Sequence, residues 1–453
     1  MSTSEKPRVL VANRGEVAVR IIRAAHTLGW EAVAVYSDAD TDARWVTLAD
    51  DAVHVGPSPA RRSYLDIDAI LTAAHDTGCR YVHPGYGFLS ERAEFARRVT
   101  EAGLRFVGPS AEVIETMGDK ALARQTAEDA GVPLVPGTDV VADAAEAQAA
   151  AEQLSYPILV KASAGGGGRG IRVVTTADEL EAAVETASAE ASSAFGDGSV
   201  YLERAITKAR HIEVQIFADA HGNVVHLFER DCSVQRRRQK LLEEAPAPGL
   251  ASDLRDEITA AAVRLAAEVG YQGAGTVEFL VEGDGFYFIE MNTRIQVEHP
   301  ITEMVTGVDL VVEQLRVAAG EELSFEQEDL TLSGVALEFR INAEDPEQDF
   351  FPSPGQITRF DPPSGPGVRV DSGFVAGGEI TPYYDSLLAK VIVHGQDRAQ
   401  ALARAGQALS ELTVEGVTTT RAMHVALLEE PELKVGGVST TWYEERGSGE
   451  EEG

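Results

Sequence analysis

Eleven consecutive residues, EMNTRIQVEHP from Glu290 to Pro300, combine carboxylates, an amide and a guanidinium. If the run is extended, alternate side chains share one face. That face would then carry five polar groups: Glu290, Asn292, Arg294, Gln296 and Glu298. A buried face of this kind needs a metal and a polar substrate, because each desolvated group is otherwise costly. A solvated edge strand is the alternative interpretation.

The segments TVEFLV and GFYFIE, separated by a Gly-Asp-Gly turn, predict a hairpin that leads into this run. With Gly283 to Gly285 as a three-residue loop, Glu278 lies opposite Glu290, whereas a two-residue loop would put them on opposite faces. Two carboxylates this close repel each other unless a cation lies between them. Together with Asn292 they suit Mg²⁺ and phosphate oxygens. The hairpin therefore predicts a magnesium–nucleotide site.

A second motif is a hydrophobic strand that ends in Lys161 and continues into the glycine-rich segment ASAGGGGRG. Glycines let backbone N–H groups approach phosphate oxygens and make a loop mobile enough to act as a lid. A flexible linker is the alternative, which the lysine at the strand end disfavours. The segment is not a P-loop, because no Gly-Lys-Ser/Thr follows, and it does not match a dinucleotide-binding turn.

Taken together, these motifs resemble the biotin carboxylases, a family of ATP-grasp enzymes. The resemblance is nearly full length, and further segments carry it: VANRGE (11–16), HPGYGFLSE (83–91), MGDK (117–120), ERDCS (229–233), QK (239–240), EEAP (243–246) and RINAE (340–344). It implies an α/β protein with an ATP-grasp fold, an N-terminal parallel α/β domain and a C-terminal α+β domain.

The resemblance implies ATP-dependent carboxylation of biotin by bicarbonate, the first half-reaction of acetyl-CoA, propionyl-CoA or pyruvate carboxylases. The sequence contains no Met-Lys-Met segment of the type that carries biotin covalently. The expected partners are therefore a separate biotin carboxyl carrier protein and a carboxyltransferase subunit, and the expected assembly is a homodimer.

The resemblance also implies the nucleotide and metal ligands. Lys120 and Lys161 would bind ATP phosphates as compact cations. Glu278, Glu290 and Asn292 would hold Mg²⁺ or Mn²⁺, which neutralises charge during phosphoryl transfer. The other implied ATP contacts are Gly167, Gly168, Glu203, Ile206, His211, Gln235, Arg238 and Leu280. For His211, a structural hydrogen-bonded histidine is the alternative.

Bicarbonate would be bound by Lys240, Arg294, Gln296 and the backbone of Val297, because a planar guanidinium matches its oxygens in bidentate fashion. Glu298 is the implied general base. It would remove the bicarbonate proton so that an oxygen attacks the γ-phosphate and gives carboxyphosphate. That intermediate decomposes to CO₂ and phosphate, and closure of the glycine lid would protect it from water.

In the mechanism proposed for the family, phosphate takes the proton from the biotin ureido nitrogen, and Arg340 stabilises the resulting enolate oxygen. Tyr86 would line the biotin pocket. The sequence departs from the family at Arg238, where histidine is frequent, and arginine keeps a donor but is always charged. Thr27 and Pro366 replace a glutamate and a phenylalanine found at the dimer face of some bacterial relatives.

Composition indicates where the protein works. The 453 residues include 39 basic and 73 acidic side chains, for a net charge of −34. Such a surface self-repels at low ionic strength, which predicts a salt-adapted cytoplasm and argues against nucleic-acid or anionic-membrane partners. No apolar run is long enough for a membrane helix, no signal peptide is evident, and Cys79 and Cys232 are expected to be reduced.

Periodicity predicts the secondary-structure elements, and together with the resemblance it implies the domain organisation. Strands over 9–12, 31–36, 80–83 and 105–107 and a helix over 17–28 form a parallel α/β unit. Helices are expected over 138–154 and 177–194, with a further helix ending near Gly320. The predicted domains are an N-terminal domain (1–118), an ATP-grasp domain (119–325, lid about 135–205), a C-terminal domain (330–446) and a disordered acidic tail (447–453).

Two rival interpretations stay open at this point: another ATP-grasp enzyme, of which a carbamoyl-phosphate-synthetase-like one is the nearest competitor, and a non-catalytic scaffold. Another ATP-grasp ligase, joining a carboxylate to an amine, would share the lid, Lys161 and the metal carboxylates, but would not need Arg294, Glu298 and Arg340 together. A carbamoyl-phosphate-synthetase-like enzyme uses the same bicarbonate activation, but it is built from two such units in tandem. A non-catalytic nucleotide-binding scaffold is disfavoured because no predicted ligand or base is missing.

Overall fold

The structure is a computed structural model that describes residues 6–141, 144–162, 171–195 and 198–448. The described chain divides into two compact units: one is Pro133–Ala209, and the chain on both sides of it forms the other. The predicted glycine lid, with Gly167 and Gly168, lies outside the described residues. The division into domains at 118 and at 325–330 stays a prediction.

The chain begins with a parallel five-stranded sheet of order β3-β2-β1-β4-β5. Val9 and Val11 pack with Ile21 of α1 on one face, while Leu10 packs in the cluster on the other face, as strand alternation requires. The predicted parallel α/β unit is confirmed, and β3 is an additional strand. The elements are β1 (Arg8–Val11), α1 (Gly15–Thr27), β2 (Glu31–Ser37), α2 (Arg44–Leu48), β3 (Asp51–Gly56), α3 (Ile67–Asp76), β4 (Tyr81–His83), α4 (Ala93–Glu101), β5 (Arg105–Phe106), α5 (Ala111–Gly118) and α6 (Lys120–Asp129).

The unit Pro133–Ala209 is a four-stranded antiparallel sheet of order β6-β9-β7-β8 with two helices. Ile158, Val160 and Leu202 form its core with residues of both helices. The predicted helix over 138–154 is wrong in its first turn, because the β-branched residues of GTDVV pair with β9 as a strand. The elements are β6 (Gly137–Val141), α7 (Ala144–Leu154), β7 (Ile158–Ala162), β8 (Ile171–Val174), α8 (Leu180–Phe195) and β9 (Val200–Arg204).

An eight-stranded antiparallel sheet organises the remaining chain, with strand order β14-β13-β10-β11-β12-β15-β22-β20. The pairing of β12 with β15 joins the strands before and after Gly320 into one sheet. Helix α11 ends at Ala319 with Gly320 (φ 94°) as its C-cap, as the prediction of a helix ending near Gly320 requires. The first elements are β10 (Arg210–Ala218), β11 (Val224–Arg236), β12 (Gln239–Ala245), α9 (Ser252–Glu268), β13 (Gly273–Glu282), β14 (Gly285–Asn292), α10 (His299–Thr306) and α11 (Leu310–Ala319).

The C-terminal part completes this sheet and packs α12 and α13 against it, with Leu337, Phe339 and Leu409 in its core. The predicted disordered tail is wrong at its start, because residues 447 and 448 belong to α15. The elements are β15 (Val335–Asn342), β16 (Glu344–Asp345), β17 (Phe351–Pro352), β18 (Gly355–Gln356), β19 (Arg359–Asp361), β20 (Val368–Ser372), β21 (Glu379–Ile380), β22 (Leu387–Gly395), α12 (Arg398–Glu411), β23 (Thr413–Glu415), α13 (Arg421–Leu427), α14 (Pro431–Val435) and α15 (Trp442–Ser448).

Two further expectations concern the whole chain. Among the described residues, no helix combines the length and the apolar character that a membrane span requires. Cys79 and Cys232 are both buried and free, as predicted.

Candidate active site

A row of charged side chains crosses four neighbouring strands of the large sheet. Arg230 on β11 lies opposite Glu213 on β10, and Glu213 lies opposite Glu278 on β13. Glu278 in turn lies opposite Glu290 on β14. Side chains paired in this way are close neighbours, with Cβ atoms about 5 Å apart. The sheet therefore aligns three carboxylates and one guanidinium, of which only Glu290 is exposed.

The hairpin reaches this register by a different route from the one predicted. Glu282 pairs with Gly285, so the loop has two residues, and the expectation that such a loop separates the two carboxylates is wrong. The reason is a β-bulge: Phe279 pairs with Phe288 but Glu278 pairs with Glu290, which leaves Ile289 as the extra residue. The predicted pairing of Glu278 with Glu290 is confirmed.

Lys240 lies at the centre of the buried carboxylates. Its Nζ is 2.5 Å from Glu213 Oε2, 3.1 Å from Glu278 Oε1 and 2.5 Å from Glu298 Oε1. Burial alone would lower the pKa of Lys240, but the neighbouring acidic groups raise it well above its usual value. The ammonium group therefore stays charged and compensates the three carboxylates.

For the carboxylate of Glu298 the two effects have the opposite signs. Burial alone would raise its pKa, but Lys240 and then Arg340 bring the pKa below its usual value. The same balance, with Lys240 and His211 as the cations, holds the pKa of Glu278 well below its usual range. Both carboxylates are therefore ionised at neutral pH.

The polar run after Glu290 is not extended throughout, so the single-face arrangement predicted for it is wrong. Strand β14 ends at Asn292, and Glu298 is the N-cap residue of α10. The polar groups nevertheless converge, because Glu278 Oε1 accepts hydrogen bonds from the amides of Asn292 (3.0 Å) and Gln296 (2.8 Å). Pro300 near the start of α10 suits the first helical turn, where no N–H partner is needed.

Arg294 is held on two sides. Its Nε donates to Glu91 Oε2 at 2.9 Å, and its Nη2 donates to Asn292 Oδ1 at 2.8 Å. A guanidinium fixed in this way is preorganised for a planar anion. Glu91 belongs to the HPGYGFLSE segment and was not predicted as a site residue.

Arg230 is completely buried and makes hydrogen bonds to several side chains of the site. Its Nε donates to Glu213 Oε1 at 2.6 Å and its Nη2 to Gln296 Oε1 at 2.7 Å. The other hydrogen bonds from its guanidinium go to Gln215, Thr302 and Thr276. Arg230 thereby fixes both a carboxylate that holds Lys240 and an amide that contacts Glu278.

Arg340, on β15, faces Glu298 from the other side. Its Nη2 lies 2.9 Å from Glu298 Oε2, and its Nε donates to Glu243 Oε1 at 2.6 Å. Burial raises the pKa of Glu243 to about 7, against the opposing effect of Arg340. The Arg340 carbonyl accepts hydrogen bonds from Thr420 Oγ1 and from His424 Nε2, both at 2.8 Å. These contacts fix the backbone that carries the guanidinium.

Tyr86 lines a cavity of about 360 Å³. Its hydroxyl donates to Glu16, and Glu16 pairs at 3.0 Å with Lys390. The Lys390 ammonium donates to the Val297 carbonyl at 2.7 Å, next to Glu298. The cavity is lined by Asn13, Arg14, Gly15, Glu16, Tyr86, Gly87, Phe88, Tyr383, Tyr384, Asp385 and Leu387.

In the compact unit formed by the chain on both sides of Pro133–Ala209, the predicted nucleotide contacts lie on different elements. Lys120 is the exposed first residue of α6, Gln235 lies near the end of β11, and Arg238 lies in the β11–β12 turn. Leu280 pairs across the ladder with His211, whose Nε2 is 3.1 Å from Glu278 Oε2. Burial alone would lower the pKa of His211, but Glu278 and Glu213 raise it to about 9.

The other predicted nucleotide residues belong to the compact unit Pro133–Ala209. There the Lys161 ammonium pairs with the Glu203 carboxylate across neighbouring strands β7 and β9. Ile206 is half-buried just beyond the end of β9. Lys161 is thus placed at the end of β7, immediately before the glycine-rich segment.

The chemistry of the predicted metal ligands fits Mg²⁺. Glu278 and Glu290 are cross-strand partners, and the Asn292 amide nitrogen donates to Glu278 Oε1 at 3.0 Å, so two carboxylates and a side-chain amide meet at one end of the hairpin. Two further groups of potential ligands, His211–Glu213–Glu278 and Glu213–Cys232–Glu298, surround Lys240. In both groups Glu213, and in the second also Glu298, already pairs with the Lys240 ammonium at 2.5 Å, and the remaining histidine and cysteine are not the oxygen ligands that Mg²⁺ prefers. Glu278, Glu290 and Asn292 are therefore the better set for a cation.

Glu213, Arg230 and Glu243 were not predicted as site residues. A signal for Glu213 was available, since His211, Glu213 and Gln215 alternate with Ile212, Val214 and Ile216 in one strand. Arg230 and Glu243 lie in the ERDCS and EEAP segments, but no spacing rule says which strand they face. Their roles emerge only from the pairing of β10, β11, β12 and β15.

The fold and site define an ATP-grasp ligase. The family profile described as "Carbamoyl-phosphate synthase L chain, ATP binding domain" matches residues 119–326. The profiles "Biotin carboxylase, N-terminal domain" and "Biotin carboxylase C-terminal domain" match residues 5–114 and 338–445. The flanking profiles distinguish the chain from ligases that share only the ATP-binding domain.

The chain is 52% identical over 440 residues to biotin carboxylase 1 of Bacillus subtilis, covering 96% of this chain and 98% of that one. It is also 52% identical over 441 residues to the biotin carboxylase of Pseudomonas aeruginosa, covering 97% and 98%. The chain belongs to the biotin carboxylase family.

Among solved structures, the biotin carboxylase domain of the Hydrogenobacter thermophilus 2-oxoglutarate carboxylase superposes with a TM-score of 0.89 at 47% identity, covering 97% of both chains. That structure is a dimer in complex with MgADP, ADP and bicarbonate. The predicted fold is confirmed.

Proposed function

We propose that this enzyme uses ATP and bicarbonate to carboxylate biotin through carboxyphosphate. The observation that supports this most strongly is the position of Glu298. It is buried, with one oxygen 2.5 Å from Lys240 and the other 2.9 Å from Arg340. One carboxylate thus lies between a cation suited to bicarbonate and a cation suited to an enolate oxygen.

Bicarbonate binds at Lys240, Arg294, Gln296 and the Val297 backbone in this proposal. The Arg294 guanidinium supplies a planar pair of donors, and Lys240 supplies a compact charge. Once bicarbonate binds to Lys240, the ion pair between Lys240 and Glu298 weakens, and the basicity of the Glu298 carboxylate rises. Glu298 then takes the bicarbonate proton.

The deprotonated oxygen of bicarbonate attacks the γ-phosphorus of ATP, which forms an O–P bond and releases ADP. Lys120, Lys161, Gly167, Gly168, Glu203, Ile206, His211, Gln235, Arg238 and Leu280 bind the nucleotide in this proposal. Mg²⁺, or Mn²⁺, held by Glu278, Glu290 and Asn292, supplies positive charge that offsets charge developing on the phosphate oxygens. Lys240 keeps Glu213 and Glu298 from repelling the incoming anions.

Carboxyphosphate breaks at its C–O bond to give CO₂ and phosphate, and phosphate removes the ureido proton of biotin. Arg340 stabilises the enolate oxygen that results, and the ureido nitrogen then forms a C–N bond to CO₂. Tyr86 lines the cavity proposed for biotin. The Arg340 guanidinium is fixed for this role by Glu243.

The proposal extends to the setting of the enzyme. Biotin arrives on a biotin carboxyl carrier protein, and a carboxyltransferase subunit passes the carboxyl group to acetyl-CoA, propionyl-CoA or pyruvate. The enzyme works as a homodimer in a salt-adapted cytoplasm. Its charge of −34 supports the inference of salt adaptation.

The carboxyphosphate route is tested with bicarbonate enriched in the heavy oxygen isotope. The oxygen that attacks phosphorus stays with phosphate when the C–O bond breaks, so phosphate released in the presence of Mg²⁺, ATP and biotin should carry one heavy oxygen. Unlabelled phosphate, released at a rate independent of bicarbonate, would contradict the proposal.

A further inference from the structure

Two turns with unusual backbone geometry face each other beside the proposed nucleotide residues. Seven non-glycine residues of the described chain have positive φ, and four of them lie here: Arg237 (47°), Arg238 (66°), Asp349 (54°) and Phe350 (62°). The left-handed region is unfavourable for residues with a Cβ, so two such pairs persist only where surrounding contacts enforce them. The contacts around these turns therefore bear on function.

The two turns hold each other directly. Arg236 Nη2 donates to the Asp349 carbonyl oxygen at 3.2 Å and also pairs with the Asp349 carboxylate. Arg237 Nη2 lies 3.1 Å from Asp349 Oδ2. The Arg236 guanidinium also lies over the Phe350 ring, 4.2 Å from its centroid.

Helix α15 closes the arrangement from a third side. The backbone N–H of Arg237 donates to Glu444 Oε1 at 2.8 Å, which satisfies a polar group inside the strained turn. The ring centroid of the neighbouring Tyr443 lies 6.2 Å from that of Phe350. The Tyr443 hydroxyl donates a hydrogen bond to Met423 Sδ at 3.3 Å. The C-terminal helix therefore contacts both turns.

The turn held in this way connects strands that carry site residues. Gln235 pairs with Lys240 across the hairpin, and the Lys240 ammonium reaches Glu298. Arg238 is exposed, and no described residue forms an ion pair with it, although the chain has 73 acidic residues. A cation kept unpaired at the tip of a restrained hairpin is available for an anionic ligand.

We propose that Arg236, Arg237, Asp349, Phe350 and Glu444 form a latch that fixes the β11–β12 turn and presents Arg238 to the phosphate or ribose oxygens of the nucleotide. The inference rests on the proposed function, because it assigns Arg238 to that nucleotide. Asp349 and Glu444 are positioning residues, and they act through the turn. The strained backbone restricts the turn before the ligand arrives, so less conformational freedom is lost on binding.

The test compares Glu444→Ala with Glu432→Ala, an exposed glutamate on α14 with no side-chain partner among the described residues. Glu444→Ala should raise the Kd for MgADP and the KM for ATP by about three- to ten-fold and change kcat less than about two-fold, because ordering of the turn is lost and not chemistry. Glu432→Ala should match the wild type, and Glu444→Gln, which keeps an acceptor oxygen, should restore most of the affinity.

A double variant separates positioning from general stability. If the latch acts through Arg238, Arg238→Ala combined with Glu444→Ala should bind MgADP no more weakly than Arg238→Ala alone. Additive losses, or a Glu444→Ala enzyme that binds like Glu432→Ala, would overturn the latch. Wild-type protein that binds MgADP without bicarbonate-dependent turnover would instead contradict the proposed function, and the Kd comparison would still decide the latch.

Discussion

At the scale of single residues, the site depends on a few buried cations, each of which contacts several acidic or polar side chains. Lys240 contacts Glu213, Glu278 and Glu298, and Arg230 makes hydrogen bonds to five side chains. Removing one partner from such a set leaves an uncompensated charge in a dry environment, which costs more than the pair itself contributes. The stability of the protein is therefore coupled to its proposed chemistry.

Arg230→Met tests this coupling. The free energy of unfolding should fall by about 3–5 kcal/mol, because Glu213 loses one of its two buried cationic partners and keeps only Lys240, while little volume changes. Adding Glu213→Gln should recover part of the loss, since the under-compensated carboxylate charge is then removed. Urea denaturation of the three proteins measures this. A double variant no more stable than Arg230→Met would contradict the electrostatic explanation.

Residue types together with the family resemblance indicated much of the site, but not which side chains contact each other. Glu278, Lys240, Gln296, Glu298 and Arg340 were predicted, and the structure brings them together. Glu213 and Glu243 were not predicted: alternation marks Glu213 as part of a polar face, but the sequence of a strand does not say which side chains lie opposite it. The partner is set by strand order, which joins β10 to β13 and β12 to β15.

At the scale of elements, positioning comes from irregularities that periodicity does not reveal. The bulge at Ile289 brings Glu278 opposite Glu290 despite a two-residue loop. Strand β14 ends at Asn292, so Arg294 and Gln296 reach the site from a loop and Glu298 from a helix N-terminus. An alternation pattern predicts which side chains share a face only within one regular strand. Here the strand ends at Asn292, inside the run from Glu290 to Pro300.

Helix α13 supports the site through His424, which is fully buried and whose Nε2 contacts the Arg340 carbonyl. Burial lowers the pKa of His424 to about 4. The pKa of His424 in the folded state is thus below its usual value of about 6.5. Between pH 4 and pH 6.5 the folded state therefore binds fewer protons than the unfolded state. The stability contributed by neutral His424 is therefore complete above pH 6.5 and is lost as the pH falls towards 4.

His424→Gln keeps a donor for the Arg340 carbonyl but cannot titrate. Between pH 7.5 and pH 5 the wild type should lose about 2 kcal/mol more unfolding free energy than the variant, as the linkage of protonation to folding requires. Denaturant titrations of both proteins at the two pH values measure the difference. Parallel pH profiles would show that His424 is not held neutral.

At the scale of the whole molecule, the N-terminal parallel sheet followed the sequence closely, since β1, β2 and β4 are continuous apolar runs. The large antiparallel sheet was harder to foresee, because it joins strands before and after Gly320. Such long-range pairing leaves no local signature. Charge acts at this scale too, since only seven lysines accompany 73 acidic residues.

Salt should therefore stabilise the protein. Raising KCl from about 0.01 M to about 0.5 M shortens the Debye length from about 30 Å to below about 10 Å and screens repulsion among surface carboxylates. The melting temperature should rise steeply at first and then level off. A melting temperature unchanged over this range would contradict salt adaptation.

The most direct test of the account is ATP hydrolysis by the wild type and Glu298→Gln, measured with Mg²⁺ in high KCl, with and without bicarbonate and free biotin. The account predicts that wild-type turnover requires bicarbonate and rises with biotin, and that Glu298→Gln binds MgADP normally but loses this turnover. Equal bicarbonate-dependent turnover in both proteins would contradict the role of Glu298, and turnover independent of bicarbonate would contradict the proposed reaction.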